Sequence, residues 1–230
     1  MSRPKRRRIG IEILSEDELI SMRQAGLVVA RALEAMVAAA QPGVTTRALD
    51  QLAVELLAGA GAQSSFLGYE PGYGVPPYPA VSCLSVNDEV VHGIPSERVL
   101  TDGDLLSIDF GAILGGFHGD AARSVEIGKV APAVAGLNQA TEQALWVGIG
   151  AAHLDGRISD ISAAIEGSLK VGGAKGEGYG IVRELTGHGI GHAMHQPPEI
   201  PNHGRPGRGP LIAPGMCLAL EPMATLGSGA

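Results

Sequence analysis

Aromatic side chains are scarce in this sequence: one tryptophan, four tyrosines and three phenylalanines in 230 residues. Core packing must therefore rest on Ala, Leu, Val and Ile. Charge is modest as well, with 18% Asp, Glu, Lys and Arg and a net −7, which argues against a general nucleic-acid binder; no DNA partner is expected. The two cysteines, Cys83 and Cys217, are too few for a disulfide framework or a thiolate zinc cluster. Both lie in apolar runs and read as small core residues of a reduced, cytoplasmic protein. No uninterrupted apolar run is long enough to span a bilayer, so no membrane partner is expected. Glu12, Glu16, Asp17 and Glu18 break up any signal-peptide core.

What the chain has in quantity is glycine, 34 residues, within a 45% hydrophobic composition that supports a real core with many tight turns. Positive charge is concentrated in "RPKRRR", residues 3–8. Setting aside those five charges leaves −12 for the remainder of the net −7. Residues 1–12 read as a basic, disordered tail, with contact to ribosomal RNA or another anionic surface as the sharper alternative. Residues 13–230 read as one domain.

"SEDE" at 15–18 is a capping box in sequence, and apolar residues at Leu19, Met22, Leu27, Ala30, Leu33 and Val37 continue it as a helix up to Pro42-Gly43. A second helix is expected over 46–57. Residues 64–79, "SSFLGYEPGYGVPPYP", are loop, and three of the four tyrosines sit there as if lining a pocket. Strands follow at 80–86, 104–114 and 117–127, the last two forming a hairpin about Gly115-Gly116. Helices are expected near 136–152 and 158–170, and strands at 181–185 and 215–222. Two successive runs of helix, helix, strands indicate an α+β fold with two similar halves.

"GHGIGHAMHQPPEI", 187–200, holds three of the seven histidines within eight residues. His188 and His192 have the spacing of a zinc-protease helix, but no glutamate stands between them to act as base, and Gly189 and Gly191 disfavour a helix. Carboxylates elsewhere must supply the chemistry. Asp109 lies mid-strand between Ile108 and Phe110, and Asp120 comes eleven residues later on the return strand. Two-residue turns that pair positions summing to 231 or 229 put both on one face. Buried together, they need a cation or a shared proton; the plainer alternative pairs Asp109 with Arg123 at the surface. Glu221, after the apolar run "MCLAL", adds a third strand-end carboxylate. Aspartates, a glutamate and a histidine make a donor set for Mn, Fe, Co or Zn, and bridging carboxylates permit two ions that generate hydroxide and stabilise an oxyanion.

"NDEVVHGIP" (87–95), "DGDLLSIDFGAILGGFHGDAARS" (102–124), "GHGIGHAMHQPPEI" and "PGMCLALEPM" (214–223) resemble the successive motifs of type I methionine aminopeptidases, collinearly from "SMRQAGLVVARAL" onward. The resemblance implies a pseudo-symmetric pita-bread fold, a divalent metal centre of two ions, and removal of the initiator methionine from nascent polypeptides. It implies metal ligands at Asp109, Asp120 (bridging), His188 and Glu221. His195 corresponds to the family's donor to the scissile carbonyl, and His92 to a substrate-contacting histidine that assists proton movement. Tyr69, Tyr78 and Met194 correspond to the methionine pocket, Met194 standing where the family often has phenylalanine. His192 and Trp146 have no family role and read as a structural histidine and a core residue. The family's last, bridging glutamate lies beyond Glu221, and this sequence ends nine residues past it. That reads as a C-terminal truncation, with one tightly bound ion and reduced turnover expected. A prolidase-like enzyme and a non-catalytic peptide-binding module with an impaired site are the competing readings.

Overall fold

The computed structural model describes residues 10–229, except 71, 73 and 174–177. The basic run at 3–8 lies outside the described residues.

The first half opens with α1 (Glu16–Ala39) and α2 (Thr46–Ala60). The capping box forms as the sequence predicts: Ser15 and Glu18 cap each other's backbone, and Glu16, Asp17 and Glu18 occupy the positive end of the helix dipole. The buried stripe of α1 is Ala25, Val29, Ala32, Leu33 and Met36. It is rotated slightly from the expected one, and Ala30 is exposed. Small residues on that stripe let the sheet approach closely: a Cβ on Gly119 would collide with the backbone at Ala25. Thr45 caps α2, which stops at Gly61 in the left-handed region, where a side chain would be strained.

The helices cover a four-stranded antiparallel sheet of β1 (Gln63–Ser64), β2 (Ser82–Val86), β3 (Leu105–Leu114) and β4 (Phe117–Glu126). β3 is central, with β4 on one side and β2 and β1 on the other. Its even-numbered residues Leu106, Ile108, Phe110 and Ala112 are fully buried against Met36, Leu49 and Leu84. Its odd-numbered residues face the opposite way, and Leu105, Ser107, Asp109 and Ile113 among them are only half-buried. The hairpin register pairs Asp109 with Ala122 and Gly111 with Asp120, so positions sum to 231 and the two aspartates share the face away from the helices. Arg123 pairs with Ile108 and points to the other face, which removes the surface ion pair as an explanation for Asp109.

The second half repeats the order with α3 (Pro132–Ala151), α4 (Ile158–Leu169), β5 (Gly180–Ile181), β6 (Thr186–Gly189), β7 (Gln196–Pro201), β8 (Leu218–Ala219) and β9 (Ala224–Thr225). β6 lies between β7 and β8, and β5 pairs with β9. Ile161, Ile165, Leu169 and Ile200 form its core.

Four expectations need correction. The strand expected over 181–185 is confined to Gly180–Ile181, and that over 215–222 to Leu218–Ala219, with irregular backbone on either side. β7 is a strand despite Pro197, Pro198 and Pro201, because among the described residues it is an edge strand paired with β6 alone. Trp146 is 60% exposed: α3 buries only Ala144 and Gly148, so its apolar residues do not mark a core face. The tail expected to run to residue 12 meets the domain sooner, since Glu12 hydrogen-bonds His192. Among the described residues no helix is long and apolar enough to cross a membrane.

Candidate metal centre and adjoining pocket

Four segments converge on the face that β3 and β4 turn away from the helices. β4 brings Asp120, β6 brings His188, and the chain just past β8 brings Glu221; one donor atom from each lies within 4.8 Å of the other two. His188 Nε2 is 3.3 Å from Glu221 Oε1 and 3.6 Å from Asp120 Oδ2. Asp109 stands beside Asp120, its carboxyl pushed well above the usual carboxylate range by burial, then by the Asp120 and Glu221 charges. It is close to the three-donor group without being one of its members.

His188 is oriented by its neighbour. Nδ1 lies 3.0 Å from the Gly189 carbonyl, which can only accept, so Nδ1 carries a proton and Nε2 is the atom turned toward the carboxylates. β6 can sit so close to β8 because Gly187 has no side chain: a Cβ there would strike the Ala219 carbonyl. Glu221 is fixed through its backbone by Asn202, a fully buried side chain whose Nδ2 donates to the Glu221 carbonyl at 2.7 Å.

The donor set fits a divalent ion on physical grounds. Asp120 Oδ1 and His188 Nε2 are both buried and find no hydrogen-bond partner among the described residues. Such orphaned atoms are costly unless something satisfies them, and an imidazole nitrogen with two carboxylates is a borderline-to-hard set. Burial works against charge on His188, but the Asp120 and Glu221 carboxylates and the Gly189 carbonyl outweigh it and lift the ring to about 10.

His195 lies against this group, its ring edge-on to that of His188 with centroids 4.3 Å apart. Burial, then the nearby His188, brings it down to about 4, so it is neutral at pH 7. The Tyr69 hydroxyl is 2.7 Å from its Nδ1. His92 is exposed, with φ 59° in the turn after β2; it is near enough for its charge to act on His195. That turn packs tightly on β2, because a Cβ on Gly93 would overlap the Leu84 carbonyl.

Beside the histidines is an apolar cluster of Phe66, Cys83 and Met194, with Tyr69 and Tyr78 packed against it. The Tyr78 hydroxyl sits 3.0 Å from both the Ser82 and Gly93 carbonyls. Burial raises the Cys83 thiol to about 12, keeping it uncharged. Tyr69, Tyr78 and Met194 thus meet as expected, while Tyr73 lies outside the described residues. Phe66 and Cys83 were not singled out from sequence as members of this cluster; the aromatic-rich loop was the signal for Phe66, and the alternation in β2 hides that Cys83 faces the site side, opposite Asp109. Asn202 and the Ser65–His118 hydrogen bond (2.9 Å), which ties the residue after β1 to β4, have no sequence signal.

The profile of metallopeptidase family M24 matches residues 20–229. A methionine aminopeptidase of Clostridium acetobutylicum is 45% identical over 95% of this chain and 83% of its own length. Methionine aminopeptidase 1 of Mycobacterium tuberculosis is 48% identical over 93% of this chain and 79% of its own. The crystal structure of the Rickettsia prowazekii methionine aminopeptidase superposes with a TM-score of 0.88 at 34% identity, covering 96% of this chain and 85% of that one. The fold is the pita-bread α+β fold.

Proposed function

The chain belongs to metallopeptidase family M24, and from that premise we propose that it is a metal-dependent methionine aminopeptidase that removes the initiator methionine from nascent polypeptides. The observation that carries this is the adjacency of two features: the Asp120–His188–Glu221 donor group and an apolar pocket of Phe66, Tyr69, Tyr78, Cys83 and Met194.

Asp120, His188 and Glu221 would hold a divalent ion such as Mn, Fe, Co or Zn, and Asp109 beside Asp120 would offer a second, sparser position. Three donors favour one tightly bound ion in this chain over two. When bound, the ion acts as a Lewis acid and lowers the pKa of a coordinated water. The protein's own residues do the rest. His195, neutral and accepting from Tyr69 at Nδ1, presents Nε2–H to the scissile carbonyl and strengthens that contact as negative charge develops on oxygen. His92, at the exposed rim, contacts the substrate and assists proton movement. The pocket takes an unbranched thioether by shape and soft contacts, with no charge to satisfy.

The substrate class sets the work in the cytoplasm, where nascent chains emerge. The five positive charges at residues 3–8 are suited to an anionic surface such as ribosomal RNA. The test is release of free methionine from Met-Ala-Ser, abolished by chelation and restored by a divalent ion, beside an Xaa-Pro peptide. Cleavage of the Xaa-Pro substrate alone makes the enzyme prolidase-like. No turnover with metal bound makes it a binding module.

A further inference from the structure

The six residues 190–195 between β6 and β7 carry Met194 and His195, yet they have no strand pairing of their own. Within this loop the Ile190 N–H donates to the Cys217 carbonyl and the Gly191 N–H to Ala193, while the Gly191 carbonyl accepts from His118. Beyond these and the Tyr69–His195 contact, the hydrogen bonds to the loop come from one side chain near the start of the sequence. Glu12 Oε2 accepts from the backbone N–H of His192 at 3.1 Å and from Gln196 Nε2 at 2.8 Å, and Oε1 lies 2.8 Å from His192 Nδ1. The carboxylate therefore grips the loop in its middle and at its exit, on both sides of His195. The His192 ring is held again by Phe117 of β4, centroids 4.3 Å apart.

The segment bearing Glu12 is itself fixed. The Leu14 N–H donates to the Gly215 carbonyl at 2.9 Å, and the Leu14 side chain is buried with Ala25 and Phe117. Both seats are cut for it: a Cβ on Gly191 would run into the Glu12 carboxylate, and one on Gly215 into the Leu14 backbone. Residues 12–14 thus bridge the loop that carries His195 and the turn that leads through β8 to Glu221.

We propose that Glu12 is a positioning residue for His195 and Met194, with residues 12–14 acting as a strap across the loop that carries them. The proposal rests on the roles assigned to those two residues above. An ion pair as exposed as Glu12–His192 contributes little by itself. This carboxylate does more than pair, because it satisfies a backbone N–H and a neighbouring amide that otherwise leave the loop free to shift. A displacement of about 1 Å at a catalytic group can cost up to roughly 10²-fold in rate.

The test uses Glu12→Ala and Glu12→Gln in the metal-loaded full chain. For Met-Ala-Ser the alanine variant is expected to lower kcat about tenfold and raise KM, with metal affinity within about twofold of wild type. The glutamine variant should fall between, since its amide oxygen can still accept from the His192 N–H. Amide hydrogen exchange over 190–196 should accelerate in the alanine variant before any other part of the second half. Wild-type kcat, KM and exchange in that variant overturn the proposal, and so does a lowered Tm with unchanged kcat at a temperature where the variant is folded. If the alanine variant does not fold, Glu12→Gln and His192→Ala carry the same comparison. Should the wild type itself release no methionine, the peptidase reading fails, and the exchange measurement still decides whether the strap holds the loop.

Discussion

Tyr69 and His195 are joined by a 2.7 Å contact between the hydroxyl and Nδ1, with the two rings edge to face and centroids 5.2 Å apart. A hydroxyl that donates to Nδ1 keeps the proton of a neutral imidazole on Nε2, the tautomer that the role proposed for His195 requires. Tyr69→Phe keeps the ring and deletes the bond. Its kcat on a methionine peptide should fall roughly fivefold, the equivalent of about 1 kcal/mol, with bound metal unchanged. An unaltered kcat would assign the orientation of His195 to other contacts.

The two adjoining histidines should separate by phenotype. His195→Ala is expected to lose about 10²–10³ in kcat while retaining its ion, because the contact is strongest in the transition state. His188→Ala should lose the ion itself, since it removes one of three converging donors. Metal content of the purified variants, measured beside kcat, decides this. Equal metal loss in both would dissolve the division of roles.

Met194 is 6% exposed and packs with Phe66 and Cys83. Met194→Ala should destabilise the protein by about 2–4 kcal/mol through the cavity it leaves, and should narrow the preference for methionine over leucine substrates. Denaturant unfolding gives the first quantity, and kcat/KM ratios for Met, Leu and norleucine peptides the second. A variant with the lost stability and intact selectivity would make Met194 a core residue only.

Ion binding should release protons. Burial, then the Asp120 and Glu221 charges, pushes Asp109 up, and His188 stands at about 10, so in the ion-free chain His188 holds its proton at neutral pH and Asp109 keeps its own beyond the usual carboxylate range. Raised folded-state values favour the fold at low pH, and that contribution fades as pH rises. For Asp109 the fading begins above about 3.9, and for His188 it runs from about 6.5 to about 10. A divalent ion requires the deprotonated forms, so its affinity should climb with pH, by up to about tenfold per unit for each proton released. Calorimetry in buffers of different ionisation enthalpy measures that release directly, together with the stoichiometry. Binding with no proton release, or two equally tight ions, contradicts the picture drawn from these donors.

Features governed by short-range rules were readable in advance. The Ser15–Glu18 capping box and the Gly115-Gly116 hairpin follow from neighbours a few residues apart, and the hairpin alone places Asp109 and Asp120 on one face. The apolar run before Glu221 marked it as a strand-end carboxylate, and the resemblance then supplied the roles of His188, His195 and His92, which come from separate segments that no local rule connects. β7 was hidden by its prolines, which are tolerated only because the strand lies at an edge. Trp146 misled because α3 is rich in Ala and Gly, so apolar residues occur all around it and the periodicity marks no buried side. Phe66, Cys83 and Met194 meet through tertiary packing, and Glu12 reaches His192 across 180 residues. Burial and loop closure decide such pairings, and the sequence does not display them.

The hairpin turn between β3 and β4 also makes the site depend on odd and even numbers. Asp109 and Asp120 share a face because Gly115 and Gly116 place every partner at positions summing to 231. Inserting one residue into either strand between Asp109 and Asp120 would turn one aspartate toward the helices, whatever the inserted residue, whereas inserting two would shift it along the strand and leave it facing the site. Substitution and length change therefore act on this centre in different ways. A side chain exchanged elsewhere on the hairpin is absorbed by degrees, but a single-codon insertion or deletion acts as a switch, with the carboxylate either in the cleft or on its far side.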